Sequence, residues 1–84
     1  MPEQQTVAAS VTVRVNEKPV TLTSHRVSGI QIKEAAIAQG ILIQLDFVLS
    51  EELGASRSRI IGDSDEVGVS DHTEFLAIPP DDNS

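Results

Sequence analysis

Between Val11 and Leu22, apolar and polar residues alternate with a period of two. Val11, Val13 and Val15 are set against Thr12, Arg14 and Asn16, and Val20 and Leu22 against Thr21 and Thr23. Successive side chains of an extended strand point to opposite faces, so the pattern describes two strands, each with one buried face. Asn16-Glu17-Lys18 supplies turn chemistry between them, and Pro19 can begin a strand but cannot sit centrally in a sheet. The chain therefore opens on an antiparallel hairpin, and something must cover its apolar face.

The cover is legible next. Ser28 is a good helix N-cap, and Gln31 completes a Ser-x-x-Gln capping box, in which each side chain satisfies an otherwise orphaned backbone N–H. A helix over 29–39 follows, ended by Gly40, whose missing Cβ suits the left-handed C-terminal cap. At helical spacing Ile32, Ala35 and Ala36 share one face, small enough to lie close on a sheet. Ile30 and Ile37 fall opposite, beside Lys33 and Glu34, which places Lys33 on the solvent side. The isoleucine pair is then either a half-exposed patch or a sign that the helix is rotated from this phase.

After Gly40 the run from Leu42 to Leu49 reads as a central strand. Ile43, Leu45, Phe47 and Leu49 lie on one side and Leu42, Gln44, Asp46 and Val48 on the other. Residues 50–58 read as a polar connection, Arg59-Ile60-Ile61 as a short strand, and 62–73 as a loop tacked to the core by Val67 and Val69. Glu74 to Ile78 is the last strand, closed by Pro79-Pro80. Hairpin, one helix, strand, short strand, strand is the ubiquitin-like β-grasp order. The expected fold is α+β, with one helix packed on a four- to five-stranded mixed sheet. A ferredoxin-like fold needs a second helix, and 50–58 is too short for one. The expected organisation is a disordered N-terminus at 1–6, the domain at 7–79 and a flexible acidic tail at 80–84.

With 84 residues there is room for one domain. Nine Val, eight Ile and six Leu against two Phe, with no Trp or Tyr, make the core aliphatic and favour sheet. The formal charge of −7 is unevenly spread. From Met1 to Leu45 four basic and three acidic residues give +1, and from Asp46 to Ser84 two basic and ten acidic residues give −8. Nucleic-acid binding needs clustered Lys and Arg and aromatics to stack on bases, so it is excluded. The chain has no cysteine, no basic-then-apolar leader and no long apolar span. A cytoplasmic location without membrane contact is the expectation.

Four short motifs occur in order. They are Val15-Asn16-Glu17-Lys18-Pro19-Val20, then Val27-Ser28-Gly29-x-x-Ile32, then Gly62-Asp63-x-Asp65-Glu66-Val67, then Glu74-Phe75-x-x-Ile78-Pro79. Together they resemble the bacterial multi-ubiquitin type of ubiquitin-like domain, from about Thr12 to Pro79. The resemblance implies a β-grasp protein without catalysis of its own. Its implied setting lies beside relatives of ubiquitin-activating, conjugating and deconjugating enzymes, where it serves as a protein modifier or interaction module. Activation in such pathways usually uses a C-terminal Gly-Gly, whereas this sequence ends Asp81-Asp82-Asn83-Ser84. Either the tail is trimmed, or an unusual activating enzyme tolerates Ser84 as the modifier terminus, or the domain binds without conjugation.

Docking on such folds commonly uses the sheet face turned away from the helix. With Phe75 and Ala77 in the core, Leu76 and Ile78 lie on that outer face beside Leu42, Gln44, Asp46 and Val48. These six residues form the candidate interaction patch, apolar with an acidic border. In the alternative, Leu76 and Ile78 are the buried pair and the patch does not exist. No catalytic, cofactor or metal constellation can be assembled. His25 and His72 lie far apart in the chain, Asp63-x-Asp65 lacks the remainder of a calcium loop, and the serines have no Gly-x-Ser-x-Gly elbow. Lys18 and Lys33 are better read as solubilising side chains than as modification acceptors. The rival from another class is a small acidic inhibitor or antitoxin-like subunit occupying a basic groove on a partner. A sulfur carrier of the same fold is weaker still.

Overall fold

In a computed structural model, residues 10–80 are described. The expectations for residues 1–6 and for Ser84 fall outside them, as do residues 7–9 of the expected domain and 81–84 of the expected tail. The hairpin forms as the alternation requires. β1 (Val11–Val15) pairs antiparallel with β2 (Lys18–Leu22), and Val11, Val13, Val15, Val20 and Leu22 are all buried. The turn is tighter than Asn16-Glu17-Lys18, because Lys18 already pairs with Val15 and only Asn16 and Glu17 connect the strands. Both have positive φ, 54° and 70°, the left-handed pair whose twist matches that of a two-residue hairpin.

A short strand β3 (Arg26–Ser28) leads into helix α1 (Gly29–Ala38). The capping box is present, with Ser28 Oγ accepting from the Gln31 amide and the Gln31 side chain accepting from the Ser28 amide. Gln39 is the C-cap, and Gly40 follows at φ 96°. Ile32 and Ala36 are buried and Ala35 packs against the core, so the expected helix phase holds at these positions. Ile37 is half-exposed, in keeping with the first alternative for the isoleucine pair.

The expected central strand is displaced. Residues 41–47 are irregular, β4 is Val48–Gly54, and it turns directly into β5 (Arg57–Ile61). Residues 50–58 are therefore a hairpin rather than a connection. Its turn, Ala55-Ser56, takes the same doubly left-handed form as Asn16-Glu17 without any Asn, Asp or Gly at the two turn positions. The 62–73 loop also contains a strand, β6 (Glu66–Gly68), paired antiparallel with β3 through Val27 and Val67. Val67 and Val69 are buried as anticipated. β7 (Glu74–Ile78) matches its expected limits.

The main sheet runs β2-β1-β7-β4-β5, with β1 and β7 parallel and the other neighbours antiparallel. This is a five-stranded mixed sheet with one helix on it, the expected α+β ubiquitin-like β-grasp fold. Ile32 and Ala36 of the helix share a single core with Val13, Val20, Leu49, Ile61, Phe75 and Ala77. Each buried aliphatic side chain contributes about 1.5–3 kcal/mol, so this layer contact dominates stability.

Candidate functional site

Burial alternates along β7: Phe75 and Ala77 face the helix, and Glu74, Leu76 and Ile78 face away. Antiparallel partners share a face, so the register extends this outer surface across the neighbouring strands. Ile78 stands opposite Val48, Leu76 opposite Ser50, and Ser50 in turn opposite Ile60. Leu76 is 41% exposed, Ile78 46% and Ile60 71%, while Val48 is half-buried. The surface away from the helix thus carries four aliphatic side chains around a serine.

One edge of this patch is acidic. Glu52 stands directly opposite Glu74, and Arg14 is the register partner of Glu74 on its other side. Like charges placed opposite each other in a sheet destabilise it slightly, and Arg14 offsets this from the Glu74 side only. A shallow groove lined by Asn16, Glu17, Glu52, Glu74 and Leu76 lies there.

The patch differs from the sequence expectation in half its members. Leu76, Ile78 and Val48 are brought together. Leu42, Gln44 and Asp46 are not on a strand beside them, because all three precede β4 in the irregular segment. Leu42 is 93% exposed there and Ile41 and Ile43 are buried, but the alternation that suggested a strand stops at Gln44: Leu45, expected on one side with Ile43, Phe47 and Leu49, is exposed in a turn. Ile60 was missed, since β5 read as a stub and its pairing with Ser50 depends on the unforeseen hairpin. The only available signal was the Ile60-Ile61 pair, since adjacent strand residues point to opposite faces and one of the two must face away from the core.

What holds 41–47 in place is Lys33, the largest departure from expectation. It is 4% exposed, and its Nζ donates to the carbonyl oxygens of Leu45 and Phe47, both at 2.7 Å, and meets Asp63 Oδ1 at 2.8 Å. A buried ammonium needs such partners, and here it supplies donors to a segment with no sheet neighbour. Lys33 is therefore an internal tie rather than a surface charge.

The four sequence motifs meet in pairs. Asn16 completes the sheet beyond β1: its Nδ2 donates to the Ala77 carbonyl at 3.1 Å, and its Oδ1 accepts from the Ala77 amide at 2.8 Å. The hairpin turn is thereby fastened to the strand that bears Leu76 and Ile78. At the other end, the carbonyls of Asp65 and Asp63 accept from the Gly29 and Ile30 amides, donors a helix start leaves unsatisfied. Val27 and Ser28 pair with Val67 and Glu66. A Cβ on Gly29 would collide with the Gly62 carbonyl oxygen, so glycine is required there by close approach rather than by backbone angle.

Four of the five described acids after Gly62 thus have partners. Asp63 meets Lys33, Asp65 Oδ2 accepts from the Gly62 amide, Glu66 pairs with Arg26, and Asp71 Oδ1 accepts from the Thr12 amide. His25 and His72 are exposed. Among the described residues no group of three or more His, Cys, Asp or Glu is arranged to hold a metal, and no helix is long and apolar enough to cross a membrane.

The family model described as multiubiquitin matches residues 11–81, which span every element above. No curated protein and no solved structure matches the chain.

Proposed function

We propose, from the premise that the chain belongs to the multiubiquitin family, that it is a non-catalytic docking module. It presents the outer sheet face to protein partners of a ubiquitin-like pathway. The observation that carries this reading is the exposed row of Leu76 and Ile78 with Val48 and Ile60, placed on the side of the sheet that the helix leaves uncovered. An apolar centre with a charged rim is the composition of a protein-binding patch of moderate affinity. The Glu52–Glu74 pair sets the chemistry of the partner: an apolar side chain flanked by Lys or Arg. A cation placed beside Glu52 would meet the charge that Arg14, on the other side of Glu74, does not offset.

The activating, conjugating and deconjugating relatives that accompany such domains are the partners this reading favours. The acidic-inhibitor alternative draws less support. Asp63, Asp65, Glu66, Asp71 and, through Arg59, Glu51 have intramolecular partners, which leaves fewer acids for a basic groove. The test titrates the purified products of genes adjacent to this one into the isotopically labelled chain. Amide shifts centred on residues 48, 60, 76 and 78 are expected, with weakened binding in Leu76→Ala/Ile78→Ala. Shifts centred on the helix side of the domain would overturn the reading. Incubation with a cognate activating enzyme and nucleotide tests the covalent version separately, since unchanged intact mass would exclude it.

A further inference from the structure

The sheet order leaves two edges, β2 and β5, and they are treated differently. On β2, Pro19 has no amide to offer, and the Gln39 side chain occupies Thr21. Its Oε1 accepts from the Thr21 amide at 2.9 Å, and its Nε2 donates to the Thr21 carbonyl at 2.8 Å. That is the pair of bonds a neighbouring strand would make, so this edge is closed. On β5, no hydrogen bond from an element other than β4 reaches the backbone of Arg57 to Ile61 among the described residues.

The side chains of this open edge are unusual for the molecule. The chain has six Lys and Arg in total against thirteen acids, and two of the six, Arg57 and Arg59, stand on β5. Ile61 is buried on the helix side, so Arg57 and Arg59 point to that side, while Ser58 and Ile60 point away from it. Arg59 meets Glu51 at 2.9 Å and still leaves 57% of its side chain exposed.

We infer that the β5 edge takes up an extended acidic segment of a partner protein as an added strand. Carboxylates stand opposite Arg57 and Arg59, and an apolar side chain stands opposite Ile60. Directly opposed residues share a face, so an antiparallel occupant reads apolar, acidic, any, acidic from its N-terminal end. Main-chain bonds to the open edge hold it, and the arginines select it. Its apolar residue extends the outer face beyond Ile60. A second copy of β5 is a poor occupant, because antiparallel pairing about Ser58 or Arg59 sets arginine opposite arginine. The groove along Arg59, Ile60 and Ile61 is bounded on its far side by Asp65, Glu66 and Val67. Asp65 and Glu66 are already engaged by the Gly62 amide and Arg26, which leaves Arg57 and the exposed part of the Arg59 side chain to the incoming strand.

The test is a short synthetic peptide with a valine-aspartate-threonine-aspartate core, titrated into the labelled full chain, with a lysine-for-aspartate peptide as control. Expected are amide shifts and slowed hydrogen exchange at residues 57–61, an affinity that falls with added salt, and no binding of the control. Arg57→Glu, at a position without an ion pair among the described residues, should weaken binding by about tenfold or more, and Arg57→Gln by less. Circular dichroism checks that both variants fold. Leu76→Ala/Ile78→Ala should leave peptide affinity unchanged, which separates this site from the docking face. Equal binding of the lysine peptide, full affinity in Arg57→Glu, shifts at Thr21 and Gln39 instead, or self-association through residues 57–61 in sedimentation would each overturn the inference.

Discussion

Replacing Lys33 by methionine keeps most of the side chain's length and apolar stem and removes its ammonium. Two carbonyl oxygens, of Leu45 and Phe47, then lose donors at 2.7 Å in a site where Lys33 is 4% exposed. Leaving a buried acceptor unsatisfied costs about 1–3 kcal/mol, so these two part-buried acceptors, together with the loss of the buried ammonium's charge-assisted bonds, cost roughly 2–5 kcal/mol once partial relaxation of 41–47 is allowed. The Asp63 contact adds little, because that carboxylate is 56% exposed and water screens the pair. Asp63→Ala should therefore cost under about 1 kcal/mol, and the contrast between the two variants is the discriminating quantity. Domains of this size have a total stability of about 4–12 kcal/mol, so Lys33→Met should remove a large share of it. Urea unfolding followed by circular dichroism reads the effect as a lower midpoint. At a slope near 1 kcal/mol/M the expected drop is roughly 2–5 M, and in a marginal domain it means no folded baseline. A Lys33→Met variant within about 0.5 kcal/mol of the parent would refute the tie, as would an Asp63→Ala variant of equal cost.

Three further variants test the scaffold. Gly29→Ala pushes a methyl group against the Gly62 carbonyl and should cost about 1–3 kcal/mol or more in urea unfolding, although alanine is the better helix former. Asn16→Gly keeps the turn but releases the Ala77 amide and carbonyl, for an expected loss of about 1–2 kcal/mol and faster exchange of the Ala77 amide. Ala55→Asn with Ser56→Gly relieves two left-handed residues in the β4–β5 turn and should raise stability by about 1–2 kcal/mol, measured as a higher thermal midpoint.

The parts of the fold that were legible in the sequence are those where local chemistry and tertiary need coincide. Val11, Val13 and Val15 alternate because one face of β1 is buried, and the Ser28–Gln31 box acts within four residues. Gly40 is placed by backbone angle. The run from Leu42 to Leu49 misled because its sequence alternates as in a strand, whereas burial alternates only from Ile41 to Gln44, and the Leu45 and Phe47 carbonyls are held by Lys33, twelve and fourteen residues away in the chain. The β4–β5 hairpin was hidden for the opposite reason. Its turn carries none of the residues that usually mark such turns, and Ser50, Glu52, Arg57 and Ser58 are polar because the strands lie toward the sheet edge. Strands β3 and β6 are three residues each, too short for any periodicity to register. On the candidate face, Leu76 and Ile78 followed from alternation in β7 alone. Ile60 required the pairing of two strands, one of which read as a loop. Leu42, Gln44 and Asp46 fell away with the displaced strand.

The docking face stands or falls on Leu76 and Ile78 being exposed for binding rather than for want of room inside. The decisive measurement compares Leu76→Ala/Ile78→Ala with the parent in the same two assays, urea unfolding and titration with a purified pathway partner. Both side chains are about half-exposed, so the pair should cost no more than about 1–2 kcal/mol of stability, while affinity falls by roughly tenfold or more. Collapse of the fold with the double substitution would show the two residues to be core. An unchanged affinity in a folded variant would place the partner elsewhere and contradict the function proposed for this face.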